Sequence, residues 1–117
     1  MTRKRYEIVC STFDKKGRHI ATSRNDYKKS HPLMLHFAKI AGESCDKIWK
    51  HAELSACLES GNTEIHSVLV QRFDAFGKPK TAKPCKTCQA MLKGFGVQIA
   101  RYTTDFGIKE ELVKDMK

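Results

Sequence analysis

The sequence lacks a long apolar run, an internal repeat and a low-complexity segment. Its basic start, Met1-Thr2-Arg3-Lys4-Arg5, is followed only by Tyr6-Glu7-Ile8-Val9-Cys10 before polar residues resume, so we expect no signal peptide. No stretch approaches the roughly 20 apolar residues that a membrane-spanning helix needs. A chain of 117 residues suits one domain of ordinary size. We therefore predict a single domain, 1–117, that does not associate with a membrane.

The number of cysteines is odd. Two of the five cysteines form Cys85-Lys86-Thr87-Cys88, and Cys10, Cys45 and Cys57 are scattered along the chain. This pattern does not suit a disulfide scaffold and indicates a reduced, intracellular protein, which we expect in the cytoplasm. The three scattered cysteines are predicted to be small buried residues.

Acidic residues are few relative to basic ones, giving a formal net charge of +9. The excess is confined to two segments, each with a net charge of +6. Residues 1–31 have nine Lys and Arg against three Asp and Glu, and residues 72–101 have seven against one. A solvated basic surface and a phosphate-bearing partner are both compatible with this distribution.

Hydrophobic patterns and turn residues predict an α/β protein with the element order β-β-α-α-β-α-β-α. A hairpin followed by alternating strands and helices implies a mixed sheet of four to five strands covered by helices. Strands are expected at 5–13, 18–23, 65–73 and 97–102, helices at 32–41, 51–60 and 84–93, and a loop at 23–31. The spacing of Ile108, Leu112, Val113 and Met116 predicts a closing helix, with little room after Tyr102 for a further strand.

Two short motifs carry the chemistry, His51-Ala52-Glu53 and Pro84-Cys85-Lys86-Thr87-Cys88. One histidine and two cysteines can hold zinc with the fourth position left to water, and a nearby glutamate outside the metal shell can move protons. Cys85 and Cys88 would project from one face of the first helical turn, and His51 would begin another helix. The metal ligands are thus predicted to be His51, Cys85 and Cys88, with zinc-bound hydroxide as the nucleophile and Glu53 as the catalytic proton shuttle.

These residues resemble the cytidine and deoxycytidylate deaminase superfamily, and closely its small phage-type branch. The shared layout is Asn, then Lys-Lys-Ser-His-Pro (28–32), His-Ala-Glu (51–53) and Lys-Pro-Cys-x-x-Cys (83–88). The resemblance implies a cytidine deaminase-like three-layer fold, a Zn²⁺ cofactor, hydrolytic removal of an exocyclic amine and self-association, so that we expect a homo-oligomer. It also implies that Asn25 faces the substrate.

Further substrate contacts are expected around the motifs, at Ala52, Trp49, Lys83 and His31. Trp49 lies just before His51 and could form a wall of the pocket, whereas His31 could bind substrate or cap the following helix. The four lysines within 78–86 favour a substrate with a phosphate. Tyr27, Phe73 and Phe76 could each stack on a base or pack within the protein.

The leading interpretation is a zinc-dependent deaminase of nucleotide metabolism that acts on a cytosine base, in a (deoxy)nucleotide or in single-stranded nucleic acid. Within the enzyme class, the alternative is deamination of adenine or guanine. Another class is a non-catalytic, zinc-stabilised module that binds nucleic acid. A thiol redox protein using Cys85 and Cys88 is a third possibility, but it would leave His51 and Glu53 unexplained.

Overall fold

The computed structural model describes residues 7–30, 32–42 and 49–116. The strands in these ranges are β1 (Glu7–Phe13), β2 (His19–Arg24), β3 (Asp26–Ser30), β4 (Trp49–Lys50), β5 (Ser67–Phe73), β6 (Pro79–Lys80), β7 (Ile99–Thr104) and β8 (Gly107–Leu112). The helices are α1 (Pro32–Ala41), α2 (Ala52–Glu59) and α3 (Lys86–Gly94), and a short 3-10 helix, Val113–Asp115, follows β8. No helix within the described ranges is long and apolar enough to cross a membrane.

Six strands form one mixed sheet, in the order β2-β1-β5-β7-β8, with β6 paired to the end of β5. β1 is antiparallel to both β2 and β5, β5 is parallel to β7, and β8 is antiparallel to β7. β3 and β4 form a separate two-stranded sheet. The predicted mixed α/β sheet is confirmed, with six strands instead of four to five.

One edge of this sheet positions the candidate site. β5 and β7 are parallel, so their carboxyl ends lie at the same edge, which also receives the start of β1 and the end of β2. Ile8 is directly opposite Arg72 there, and Asn25 follows β2. We call this the site edge, and it lies opposite the turn that joins β1 to β2.

The core lies between the sheet and the helices. Cys10, Val68, Val70, Ala100 and Tyr102 alternate along β1, β5 and β7, and all of them are buried. They share a core with buried side chains of α2 and α3, namely Leu54, Ala56, Cys57, Met91 and Leu92. The predicted burial of Cys10 and Cys57 is therefore confirmed, whereas Cys45 lies outside the described residues.

The helices of the described ranges lie on one side of the sheet. α2 contacts β1 and β2, α3 contacts α2, and α1 packs along α3. α1 packs tightly on α3 at Gly94. A Cβ added there would lie 2.9 Å from the Phe37 ring, so the ring would have to shift. The predicted helical cover is thus found on this face.

Two predictions of secondary structure are wrong. The predicted loop at 23–31 contains β3, which pairs with β4 through Asp26 and Lys50. The predicted closing helix is replaced by β8 and the short 3-10 helix that follows it. A propensity argument could not find β3, since its partner is only two residues long and comes from beyond α1.

β8 forms because Gly107, with φ of 123°, turns the chain back onto β7. The helical spacing of Ile108 and Leu112 was misleading, since these side chains are 61% and 46% exposed and do not enter the core. Within the strand, Glu111 instead accepts a hydrogen bond from the Tyr102 hydroxyl at 2.7 Å. Val113 and Met116 supply the buried apolar surface that the tail contributes.

Candidate metal centre and cavity

The first half of the candidate site is held at the start of α2. His51 is the residue before the helix and has extended backbone angles, with φ of −75° and ψ of 154°. Its carbonyl accepts the first helical hydrogen bond, from Ser55 N at 3.1 Å. β4 ends at Lys50 and α2 begins at Ala52, so His51 is fixed between a strand and a helix.

The second half lies at the start of α3. Cys85 is the N-cap residue and has extended backbone angles, and Cys88 lies in the first turn. α3 therefore begins at Lys86 instead of the predicted Pro84. Gln89 donates from its backbone to Cys85 O at 2.8 Å and from its side chain to Pro84 O at 2.9 Å. These bonds fix the two sulfurs next to the positive end of the helix dipole, which favours thiolates.

His51, Cys85 and Cys88 converge. His51 Nδ1 lies 3.2 Å from Cys88 Sγ and 3.9 Å from Cys85 Sγ, and the three potential ligand atoms all lie within 4.8 Å of one another. Usual Zn–N and Zn–S bond lengths in a tetrahedral site place such atoms about 3.6 Å apart. One imidazole nitrogen and two sulfurs are also a donor set that suits zinc. The three residues therefore fit a zinc ion in both spacing and chemistry.

The two thiols have opposite pKa shifts. The pKa of Cys85 is lowered to about 4, chiefly by a hydrogen bond from Cys88 and further by His51, and these effects outweigh its burial. The pKa of Cys88 is raised well above its usual value, first by Cys85 and then by burial. Cys85 is therefore the thiol of the pair that ionises more readily, which prepares it to bind a cation.

Glu53 lies beside this group without belonging to it. It occupies the first turn of α2 and is only 5% exposed. Burial raises the pKa of its carboxyl group, and the nearby His51 opposes this effect in part. A buried carboxyl with a raised pKa is the kind of group that general acid–base catalysis uses.

A cavity of about 330 Å³ adjoins these residues. It has His51 and Cys85 in its wall together with Glu53, so a small ligand inside it would lie next to both the candidate metal group and the carboxyl group. The remaining lining residues are Ile8, Asn25, Ala52, Val70, Arg72, Thr81, Ala82 and Lys83. Its size and mixed lining are typical of small-ligand sites.

Asn25 is oriented by the backbone of β1. Its Oδ1 accepts a hydrogen bond from Ile8 N at 3.3 Å, and its own N–H donates to Ile8 O at 3.2 Å. Its Nδ2 is buried and has no hydrogen-bond partner among the described residues. The side-chain amide therefore has donors to offer a ligand in the cavity.

The structure brings most of the sequence-predicted site residues together. Asn25, Ala52 and Lys83 line the cavity beside Glu53 and two of the three predicted ligands. His31 lies outside the described residues, and so does the side chain of Trp49.

Arg72 was missed as a site residue. Arg72 follows Val68 and Val70 on the same face of β5. The sequence signal for it was a charged residue at a position where the alternation of the strand predicts a core-facing side chain.

No protein-family model matches the chain, and a search of curated proteins finds no match either. Among solved structures, the chain is similar to the crystal structure of cytidine deaminase from Mycobacterium leprae. The two are 18% identical, the match covers 90% of this chain and 74% of that one, and the TM-score is 0.51. At this identity the likeness concerns the fold alone, and it confirms the predicted cytidine deaminase-like fold.

Proposed function

We propose that this chain is a zinc-dependent deaminase that hydrolyses the exocyclic amine of a cytosine base, in a (deoxy)nucleotide or in single-stranded nucleic acid. The observation that carries the proposal is the convergence of His51, Cys85 and Cys88 beside a cavity that also contains the buried Glu53. The solved structure to which the chain is similar is a cytidine deaminase, which favours cytosine as the base over the alternatives, adenine and guanine.

His51 Nδ1 and the two sulfurs would hold the zinc ion. When bound, zinc supplies the Lewis acidity that makes water a nucleophile near neutral pH. The thiolate prepared on Cys85 and the N-terminal ends of α2 and α3 favour binding of the cation through anionic ligands. A purely structural zinc site would have four protein ligands, whereas the described residues form a group of three.

Glu53 would move the protons of the reaction. Its carboxylate takes a proton from the attacking water, delivers it to ring nitrogen N3 and assists a second transfer to the departing amine. The overall change converts the base and one water into uracil and ammonia. Burial keeps bulk water from this carboxyl group and raises its pKa, which makes it a better proton carrier than an exposed glutamate.

The cavity lining would orient the base. The side-chain amide of Asn25 supplies donors, and the small, buried Ala52 leaves room for a ring next to Glu53. Lys83, whose side chain is 34% exposed, can reach a phosphate at the rim. Trp49 and His31 stay predicted substrate contacts. The phage-type branch, the cytoplasmic location and self-association likewise stay predictions.

The test is a Glu53→Gln variant compared with the parent protein, both loaded with zinc. We expect ammonia release from the preferred cytosine compound to fall by at least about 100-fold, since a general acid–base group contributes that much or more. Zinc content, measured by elemental analysis, should stay at the parent value. Loss of zinc would make Glu53 a ligand, and full activity would refute the proposed mechanism.

The substrate is identified by a screen with product mass as the readout. Cytosine, adenine and guanine are offered as free base, nucleoside, nucleotide and short single strand. We expect conversion only with cytosine compounds. Turnover of a purine would correct the base, and no turnover of any compound by the zinc-loaded protein would favour the non-catalytic module.

A further inference from the structure

Two phenylalanines stand almost fully exposed at the site edge. Phe76 is 89% exposed in the turn between β5 and β6, and Phe106 is 99% exposed in the turn between β7 and β8. Among the described residues, these two are the aromatic side chains that are largely exposed. Because β5 and β7 are parallel neighbours, both turns leave the sheet at the edge where the cavity lies.

The fold does not require an aromatic residue at either position. The β1–β2 turn, residues 14–18, and the β5–β6 turn, residues 74–78, are built alike. In each, the aspartate Oδ1 accepts hydrogen bonds from the N–H groups two and four residues further on, at 2.8 to 3.0 Å. The third residue is Lys16 in one turn and Phe76 in the other, so this turn tolerates either side chain.

The β7–β8 turn leads to the same conclusion. Thr104 Oγ1 accepts a hydrogen bond from Phe106 N at 3.1 Å and donates one to Gly107 O at 2.7 Å. Only the backbone of Phe106 takes part in these bonds. Large apolar side chains usually gain stability by burial, so two rings left in water at one edge are available to a ligand that would cover them.

The same edge is basic. Segment 72–86 has five Lys and Arg against one acid, Asp74, whose carboxylate is engaged in the turn described above. Arg72 and Lys80 are directly opposite each other on β5 and β6, so two cationic residues are neighbours at this edge. Lys83 and Lys109 share one carboxylate, Glu111, at 3.8 and 3.9 Å. Within 72–86 the cations therefore outnumber the acids, and Asp105 adds one acid beside Phe106 in the β7–β8 turn.

Proteins typically bind single-stranded nucleic acid on surfaces where exposed aromatic rings alternate with cationic side chains. We propose that the site edge is a track for a single strand, with one cytosine in the cavity and with Phe76 and Phe106 stacked on neighbouring bases. The lysines of the edge contact the phosphates. This inference rests on the proposed function and deepens it, since a polynucleotide becomes the substrate in place of a free nucleotide.

The dimensions of the sheet suit one continuous strand. Neighbouring β-strands lie about 4.8 Å apart, and β6 intervenes between β5 and β7 at this edge, so the two turns lie on the order of 10 Å apart. A mononucleotide has one base, which would occupy the cavity and leave both rings uncovered. A strand of several nucleotides can reach the cavity and both rings together.

The experiment measures binding separately from catalysis. The zinc-loaded Glu53→Gln protein, which should not turn over its ligand, is titrated against a fluorescent single strand of about 15 nucleotides containing one cytosine, as DNA and as RNA. Phe76→Ala and Phe106→Ala are each expected to raise Kd by about 5- to 100-fold, the range that loss of one stacking platform gives. Lys78→Glu should also weaken binding and reduce its dependence on salt.

The chain offers a matched control at the opposite edge. Lys16→Ala changes the equivalent position of the equivalent turn, and Lys15→Glu reverses an exposed charge there, so neither should change Kd by more than about twofold relative to the parent. Both phenylalanine variants should fold normally, because the removed rings are exposed. Their thermal unfolding midpoints, measured in parallel, should equal that of the parent.

Three outcomes would overturn the proposal. The first is a single strand that binds no more tightly than deoxycytidine monophosphate, and the second is unchanged strand binding in both phenylalanine variants. The third is a change of oligomeric state in these variants, seen by sedimentation, with strand affinity unaltered, because the rings would then form a protein interface. Strand binding without deamination by the parent would instead refute only the proposed function.

Discussion

Asp14 and Asp74 show how a single residue shapes the ends of the sheet. Each carboxylate accepts two backbone N–H groups of its turn, and Arg18 adds an ion pair to Asp14 at 2.8 Å. The pKa of Asp74 is lowered chiefly by its hydrogen bond from the backbone N–H of Lys78. The pKa of Asp14 is lowered chiefly by the corresponding bond from the backbone N–H of Arg18. Both turns are therefore stabilised by the ionised form of an acid.

The sign of the pH dependence follows from these lowered pKa values. The folded-state pKa lies below the unfolded value of about 3.9, so the contribution of Asp74 is present above that value and is lost as pH falls through the folded pKa. We expect Asp74→Asn to lower the urea midpoint of unfolding at neutral pH, with a difference from the parent that shrinks below about pH 4. An equal difference at both pH values would contradict this account.

Single residues also show how far the site could be predicted from sequence. His51, Glu53, Cys85 and Cys88 could be predicted to lie together because zinc and proton transfer each require particular residue types at fixed spacing. Arg72 has no such motif, and its place in the cavity depends on which face of β5 meets the helices. Tertiary packing decides that orientation.

At the scale of elements, α2 is attached to the sheet by a buried polar contact. Thr12 Oγ1 on β1 and Ser60 Oγ at the end of α2 lie 2.7 Å apart, and Ser60 also donates to Ala56 O at 2.8 Å. Both side chains are buried. The contact fixes the far end of the helix that begins beside His51. It therefore helps to fix the position of the candidate metal group relative to the sheet.

We expect Ser60→Ala to lower the free energy of unfolding by about 0.5 to 1.5 kcal/mol, because the buried Thr12 hydroxyl loses its partner on α2 but keeps its hydrogen bonds with Ala21. Ser11→Ala is the control on the same strand. It removes a hydroxyl pair with Thr22, which is exposed, and should cost less than about 0.5 kcal/mol. Urea unfolding measures both, and equal losses would show that the buried contact has no special role.

The elements also separate what local patterns predict from what they cannot. β1, β2, β5 and the three helices were predictable because each has an apolar periodicity and a turn or cap at its ends. β8 was not, since its apolar residues Ile108 and Leu112 face solvent and its formation depends on pairing with β7. An edge strand defined by its neighbour gives little local signal.

The molecule as a whole should depend on the metal for stability, because zinc would join α2 to α3 at the centre of the fold. With free zinc at about 100 times Kd, the expected gain is about 2.7 kcal/mol, and removal of zinc with a chelator should reverse it. Thermal unfolding with and without zinc measures this gain. Cys85→Ser should abolish it.

Cys57→Ala provides the matched control for this prediction. Cys57 is a buried cysteine whose pKa is raised to about 12 by burial, and it does not belong to the group of His51, Cys85 and Cys88. Its removal should lower stability through lost packing while preserving the full response to zinc. A zinc response that disappears with Cys57 would place the metal elsewhere.

The separation of the proposed zinc ligands along the chain would also affect the order of events during folding. Cys85 and Cys88 remain neighbours in the unfolded chain, whereas His51 is 34 residues from the nearer cysteine and reaches it only after a long loop has closed. A cation captured early would be held by the two sulfurs alone. Coordination by His51 would follow only when α2 docks, so the histidine is the ligand whose binding reports that the protein has folded.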